Sequence, residues 1–195
     1  VKRRTIKACI SIILLAALVS CGGGAGSGSD SGFVADITAA EIDSIAKAIT
    51  SAAQAVESVV AAQSQAAADT GNSGTFMAST QSTCPGGGFI TSEGEIALAY
   101  DPAEATVTSS GDITLQLSAH ASVSDDCKCL DLYLDGFLTL TVAGIDPDYA
   151  FPVFGSIGLD RIDAEGELVH LADSCAIELT FQNGAVTGTV CGNPI

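Results

Sequence analysis

Tryptophan is absent from this 195-residue sequence, methionine occurs once, and aromatic residues make up only 5% of the chain. Basic residues are scarce as well: seven Lys and Arg stand against twenty-three Asp and Glu, a formal charge of −16 with a pI near 4.1. That imbalance excludes a general nucleic-acid binder, which needs clustered Lys and Arg to replace the counterions of phosphates. Charged residues of both signs total 15%, while the hydrophobic share is 47%. A chain that apolar is not mostly disordered, and its length suits one modest domain with appendages. Motifs of catalysis are missing too. There is no nucleophile elbow, no HExxH, no Gly-rich loop followed by Lys and a helix, and no paired-carboxylate signature.

The longest apolar run, Ala8 to Val19, is too short to span a bilayer comfortably. Lys2, Arg3, Arg4 and Lys7 precede it, which makes residues 1–20 read as an export signal with a positive start and an apolar middle. The run ends in Leu18-Val19-Ser20-Cys21, which resembles the lipobox of bacterial lipoprotein precursors. That resemblance covers about the first thirty-two residues. It implies cleavage before Cys21, a diacylglycerol on its thiol, and a partner that is the membrane itself, reached through covalent lipid. Gly22 follows the Cys where an Asp would mark inner-membrane retention, so the resemblance favours the outer membrane. Two or three acyl chains hold a protein stably, at about 0.8 kcal/mol per buried methylene. After cleavage three bases face twenty-three acids, a formal charge of −20. Anionic surfaces repel such a chain, so its attachment would come from lipid.

Residues 21–35 form a tether, GGGAGSGSDSG at its centre, with a reach on the order of 20 Å. An Ala-rich amphipathic helix is expected over 36–70. Thr38 and Glu41 form a capping box, Ile42, Ile45, Ile49, Ala52, Val56 and Val59 form an apolar stripe, and Gly71 ends the helix after about Ala68. The stripe suits either a self-associating stalk or packing on the chain's own β-domain, the reading preferred here.

From about Thr75 the periodicity changes to two. Ile96, Leu98 and Tyr100 alternate with polar or small residues, as do Ile113 to Val123 and Leu130 to Val142. Gly94-Glu-Ile, Gly111-Asp-Ile, Gly136-Phe-Leu and Gly166-Glu-Leu recur at strand starts, and Asn183-Gly184 signals a two-residue hairpin turn. The fold class is therefore mainly β (α+β). Residues 71–195 are expected to form six to eight antiparallel strands, as a sandwich or as a curved meander with the helix across its concave face.

Without Cys9 and Cys21, five cysteines remain: Cys84, Cys127, Cys129, Cys175 and Cys191. In an oxidising compartment they read as disulfide candidates with one left over. A two-residue turn puts Cys175 and Cys191 on opposite faces of their hairpin, so each is expected to reach Cys84 or the Cys127/Cys129 turn instead. A metal or redox site at Cys127-Lys128-Cys129, with His120, is the lesser alternative. Asp125-Asp126, Asp146 with Asp148, and Asp160 with Asp163 and Glu165 are weak calcium candidates, against a plainer reading as solvated carboxylates. His120 and His170 read as surface residues. No cofactor is expected. The sequence points to a non-enzymatic binding or structural module, with a protein or apolar ligand as possible partner. The alternative is a carrier of lipids or other apolar ligands, since a helix-covered curved sheet resembles in outline the carriers and receptors of lipoprotein sorting.

Overall fold

The structure is a computed structural model that describes residues 37–118, 125–145, 148–182 and 184–195. The export signal, Cys21, the tether, His120 and Asp146 lie outside them.

The chain begins with one long helix, α1 (Ala39–Thr70). Its start is the expected capping box: the Thr38 hydroxyl accepts from the Glu41 backbone N–H, and the Glu41 carboxylate accepts from the Thr38 N–H at 2.6 Å. Its end is Gly71, whose left-handed backbone (φ 66°) lets its N–H reach the carbonyls of Ala67 and Ala68.

Nine strands follow among the described residues: β1 (Gly74–Thr83), β2 (Phe89–Asp101), β3 (Thr106–Gln116), β4 (Lys128–Cys129), β5 (Leu132–Ile145), β6 (Asp148–Ile162), β7 (Leu168–Gln182), β8 (Ala185–Val190) and β9 (Asn193–Pro194). Every pairing is antiparallel, in the order β1-β2-β3-β5-β6-β7-β8-β9, with β4 paired on β5. This is the meander of the two expected architectures. It is one sheet, and α1 packs on it; the second layer of a sandwich is replaced by a helix. Because β1 and β8 stand near opposite ends of the strand order yet both touch α1, the sheet curls around the helix.

Two pairs of strands show how the curl is accommodated. Gly94 lies opposite Ile113 and Gly111 opposite Ile96, so the Gly-x-aliphatic motifs of β2 and β3 pair reciprocally. Gly136 and Leu138 do the same with Ile157 and Gly155 across β5 and β6. At each site a missing side chain gives the neighbour's aliphatic group room. A Cβ on Gly94 would lie 2.2 Å from the Asp112 carbonyl oxygen, and the strands could not approach as they do. Only the fourth motif stands at a strand start as expected: Gly166 lies in the β6–β7 turn, with φ 85°, just before β7, whereas Gly94, Gly111 and Gly136 lie inside β2, β3 and β5. Leu130 also departs from its strand pattern. It is half exposed in the turn between β4 and β5 with a left-handed backbone (φ 56°).

The inner faces of the strands carry the alternating residues foreseen from the sequence, including Ile96, Ile113, Leu115, Leu132, Leu138 and Leu140, all buried. Against them lie Ile45, Ile49, Ala52, Val56 and Val60 of α1. Val59, expected in the stripe, is only half buried, and Val60 takes its place. A stripe that steps to Val60, Ser64 and Ala67 follows the 3.6-residue period of a straight helix lying on a sheet, not the 3.5-residue seam of a stalk.

Polar contacts fix the helix along its length. Arg161 Nη2 on β6 donates to Glu41 Oε1 (2.5 Å), the Cys129 thiol donates to the Ser44 carbonyl (3.5 Å), the Ser82 hydroxyl to the Ser51 carbonyl (3.3 Å), and Ser64 and Ser109 share a buried hydrogen bond (3.0 Å). Burial opposes ionisation of Glu41, but hydrogen bonds from Thr38 and Arg161 together with the guanidinium charge outweigh it and hold the carboxyl below its usual 4.5. A depressed carboxyl pKa contributes stability above the unfolded value and loses it as pH falls through the folded one. Arg161→Met should therefore cost about 2 kcal/mol near pH 7, below the roughly 3–5 kcal/mol of a fully buried pair because the Arg161 side chain is 30% exposed. Urea midpoints taken from pH 7 down to below 4.5 would check this. The variant's deficit should shrink on the acid side, and a deficit constant across that range would show that the ion pair is not its source.

Candidate functional site

Position constrains the chemistry of the cysteines most tightly. Cys84 and Cys127 are joined, with Cα atoms 5.5 Å apart, and Cys175 and Cys191 are joined, with Cα atoms 4.5 Å apart. The first bridge is prepared by the Pro85-Gly86-Gly87-Gly88 loop. Gly86 N–H donates to the Lys128 carbonyl, and Lys128 N–H donates to the Gly87 carbonyl. A Cβ on Gly88 would lie 1.8 Å from the Asp126 carbonyl oxygen, so only glycine lets the loop come this close to the Cys127 segment.

The second bridge corrects the expectation that Cys175 and Cys191 face apart. Their hairpin register is the one foreseen, with Gln182 opposite Ala185 and Ile177 opposite Val190, and Cys191 N–H still donates to the Ala176 carbonyl. What differs is the end of β8. Cys191 (φ 49°) and Gly192 (φ 76°) both have left-handed backbones and form the two-residue turn into β9, where Val190 pairs Asn193. The turn takes Cys191 off the strand's alternation and brings its sulfur to Cys175. Cys191-Gly192 is itself a turn dipeptide, and that was the legible signal.

Cys129 is the residue left over. It is fully buried, and burial pushes its thiol up to about 12, partly offset by its hydrogen bond to the Ser44 carbonyl. At neutral pH it is a protonated, enclosed thiol and a poor nucleophile or ligand. With Cys127 in a disulfide, the Cys127-Lys128-Cys129 segment does not present the thiolate pair that a metal or redox site would need.

Among the described residues the calcium candidates form no ligand set, although Asp126 and Asp160 line one depression. Asp160 faces outward on β6, where its Oδ1 lies 2.7 Å from His170 Nδ1 on β7. His170 Nε2 lies 2.9 Å from Asp173 Oδ1. Asp163 is spent on its turn, accepting from the backbone N–H groups of Glu165 (3.0 Å) and Glu167 (2.9 Å), while the Glu165 side chain is exposed. Asp148 begins β6, and its side chain lies outside the described residues. No group of three or more His, Cys, Asp or Glu side chains among the described residues is arranged to hold a metal ion. His170 is exposed as expected, and the hydrogen bond to Asp160, with the charges of Asp173 and Asp160, raises its pKa against the opposing effect of desolvation. The geometry suits a protonated imidazole donating at both nitrogens.

A groove of about 500 Å³ lies beside the first half of α1, lined by Ile42, Ala46, Lys47, Val186, Pro194 and Ile195 among others. It is open along its length and lies on the flank of the helix, outside the helix–sheet core. No described helix is long and apolar enough to cross a membrane. The outer face of the sheet carries exposed Met77, Phe137 and Phe154 among carboxylates. No protein-family model, no curated protein and no solved structure matches this chain.

Proposed function

We propose that this chain is an exported, lipid-anchored bacterial protein, held at the cell envelope through Cys21, whose folded part works without catalysis as a binding or structural module. The outer membrane is the preferred location. The anchoring half of the proposal rests on Leu18-Val19-Ser20-Cys21 behind a basic and apolar leader. The observation that carries the module half is the filled core. Ile45, Ile49, Val56 and Val60 occupy the space under the curled sheet that a carrier would keep for its ligand. A carrier of apolar molecules buries most of its cargo in a cavity, whereas the groove beside α1 is open. This favours the packed module.

Metabolic labelling with a palmitate analogue, followed by fractionation of cells making the full chain or its Cys21→Ala variant, tests the anchor. The full chain should be labelled and recovered with membranes, and the variant should lose the label and move to the soluble fraction. Unlabelled full chain, or a variant that stays with membranes, would overturn the anchor.

A further inference from the structure

The outer face of the sheet combines two features that are each costly alone. Phe137 on β5 and Phe154 on β6 are 55% and 50% exposed in a chain with only seven Phe and no Trp. Phe137 pairs Ser156 and Phe154 pairs Thr139, which makes the two rings diagonal neighbours within reach of each other. Met77, 67% exposed on β1, faces the same side. Between Met77 and the rings lies a depression of about 260 Å³, lined by Thr91, Glu93, Gly94, Thr114 and Gln116 as well as Met77. The register places Gln116 directly beside Phe137 and Thr114 beside Thr139, so depression and rings are adjacent.

The second feature is charge. Glu93, Glu95, Asp112, Asp135 and Glu178 are all exposed on this face, and Glu178 stands directly opposite Phe154. Glu95 and Asp112 are cross-strand partners, two like charges at a position where such a pair destabilises a sheet. The described bases do not answer them. Lys47 and Arg161 are held by Asp43 and Glu41, and Lys128 sits over the Tyr133 ring at 5.1 Å. An apolar centre rimmed by carboxylates has the layout of a binding hot spot whose rim steers a partner of opposite charge.

We infer that the outer face of β1–β7, centred on Phe137 and Phe154, docks a basic, amphipathic segment of another protein. Its apolar side chains would cover the two rings and enter the depression beside Gln116, while its Lys and Arg side chains would meet Glu93, Glu95, Asp112 and Glu178. The inference rests on the reading of the fold as a binding module, and not on lipid anchoring.

The test uses the full chain and three synthetic peptides: one alternating Lys and Leu, one alternating Lys and Ser at the same charge, and one alternating Glu and Leu. Binding is followed by fluorescence anisotropy at low and high salt. The Lys/Leu peptide should bind most tightly and weaken with salt. Phe137→Ser and Phe154→Ser should each reduce its affinity about tenfold or more, with unchanged melting temperature because both rings are half exposed. Glu95→Gln with Asp112→Asn should slow association. Equal binding of the Lys/Ser peptide, or unchanged affinity in the Phe variants, would reduce the face to general acidity and overturn the inference. A concentration-dependent dimer lost in Phe137→Ser would assign the face to a second copy and overturn it as well. None of these outcomes alters the fractionation of Cys21→Ala, so failure here and failure of the anchor are separable.

Discussion

Removing the Cys84–Cys127 bridge should cost about 4 kcal/mol, the larger loss of the two cross-links among the described residues. The two residues are 43 apart in sequence, and the stabilisation from restricting the unfolded chain grows with the logarithm of the closed loop. The same reasoning gives about 3 kcal/mol for Cys175–Cys191, which closes a separation of 16. Against a total stability on the order of 5–15 kcal/mol, a chain without both bridges would stand near its unfolding limit. The clean variant is Cys84→Ser with Cys127→Ser, since replacing Cys84 alone would free Cys127, two positions from Cys129, and replacing Cys127 alone would free Cys84. Its urea midpoint should fall well below that of the unreplaced chain under non-reducing conditions, and added reductant should lower it further only through Cys175–Cys191. Alkylation mapped by peptide mass gives an independent reading: Cys129 should be modified only after unfolding. Equal midpoints for variant and unreplaced chain would mean that the bridge contributes nothing, and rapid modification of Cys129 in the folded chain would contradict its burial.

The bridges also mark where sequence reasoning stopped short. Strand periodicity, the capping box and the Asn183-Gly184 register are local signals, each readable within a dozen residues, and the helix and the hairpin register match them, while β3 ends at Gln116, short of the alternation read to Val123, and Leu130 falls in a turn. Disulfide pairing is a matter of three-dimensional approach. Cys191 leaves the face that alternation assigns to it because alternation ends one residue earlier, at a Cys-Gly dipeptide that turns the chain. Cys84 gave no hint of Cys127 by itself. The run Gly86-Gly87-Gly88 did carry a signal of close backbone approach, but a glycine run does not say which segment comes close. Carboxylates were harder still. Asp163 has the composition of a ligand and the function of a turn cap, and only the hydrogen bonds to Glu165 and Glu167 distinguish the two.

The outer face was illegible for a related reason. Phe137 and Phe154 lie in strands whose opposite parity supplies the core, so the alternation that locates Leu138 and Val153 inside assigns both rings to the outside. Alternation cannot bring them together, because their adjacency depends on the β5–β6 register. The glycines shape this region too. Gly136 and Gly155 flank the rings in sequence, and the reciprocal pairing with Ile157 and Leu138 fixes the alignment that makes Phe137 and Phe154 diagonal neighbours. One local motif thus serves both faces: it lets the inner face close on α1 and sets the arrangement of the outer one.

Ile49→Ala should destabilise the chain by about 3–4 kcal/mol, within the usual range for emptying a fully buried branched aliphatic position. Ile49 has no exposed surface and lies midway along the buried stripe of α1, with Ile45 and Ala52 on either side. The helix and sheet are joined there by apolar contact, and a cavity between two stiff elements collapses only partly. A comparison further along the helix separates the two periods considered for its stripe. Val60→Ala removes a fully buried side chain and should cost about 2 kcal/mol, whereas Val59→Ala, at a half-buried position, should cost well under 1 kcal/mol. A stalk built on a strict heptad would give the opposite ranking, because Val59 continues the seam from Val56 and Val60 falls beside it. Chemical denaturation of the three variants, with sedimentation to monitor association, resolves both quantities at once. If Val59→Ala proves the costlier of the valine changes and also dissociates an oligomer, α1 is a stalk. If Val60→Ala is costlier and the chain sediments as a monomer throughout, α1 is the inner layer of its own sheet.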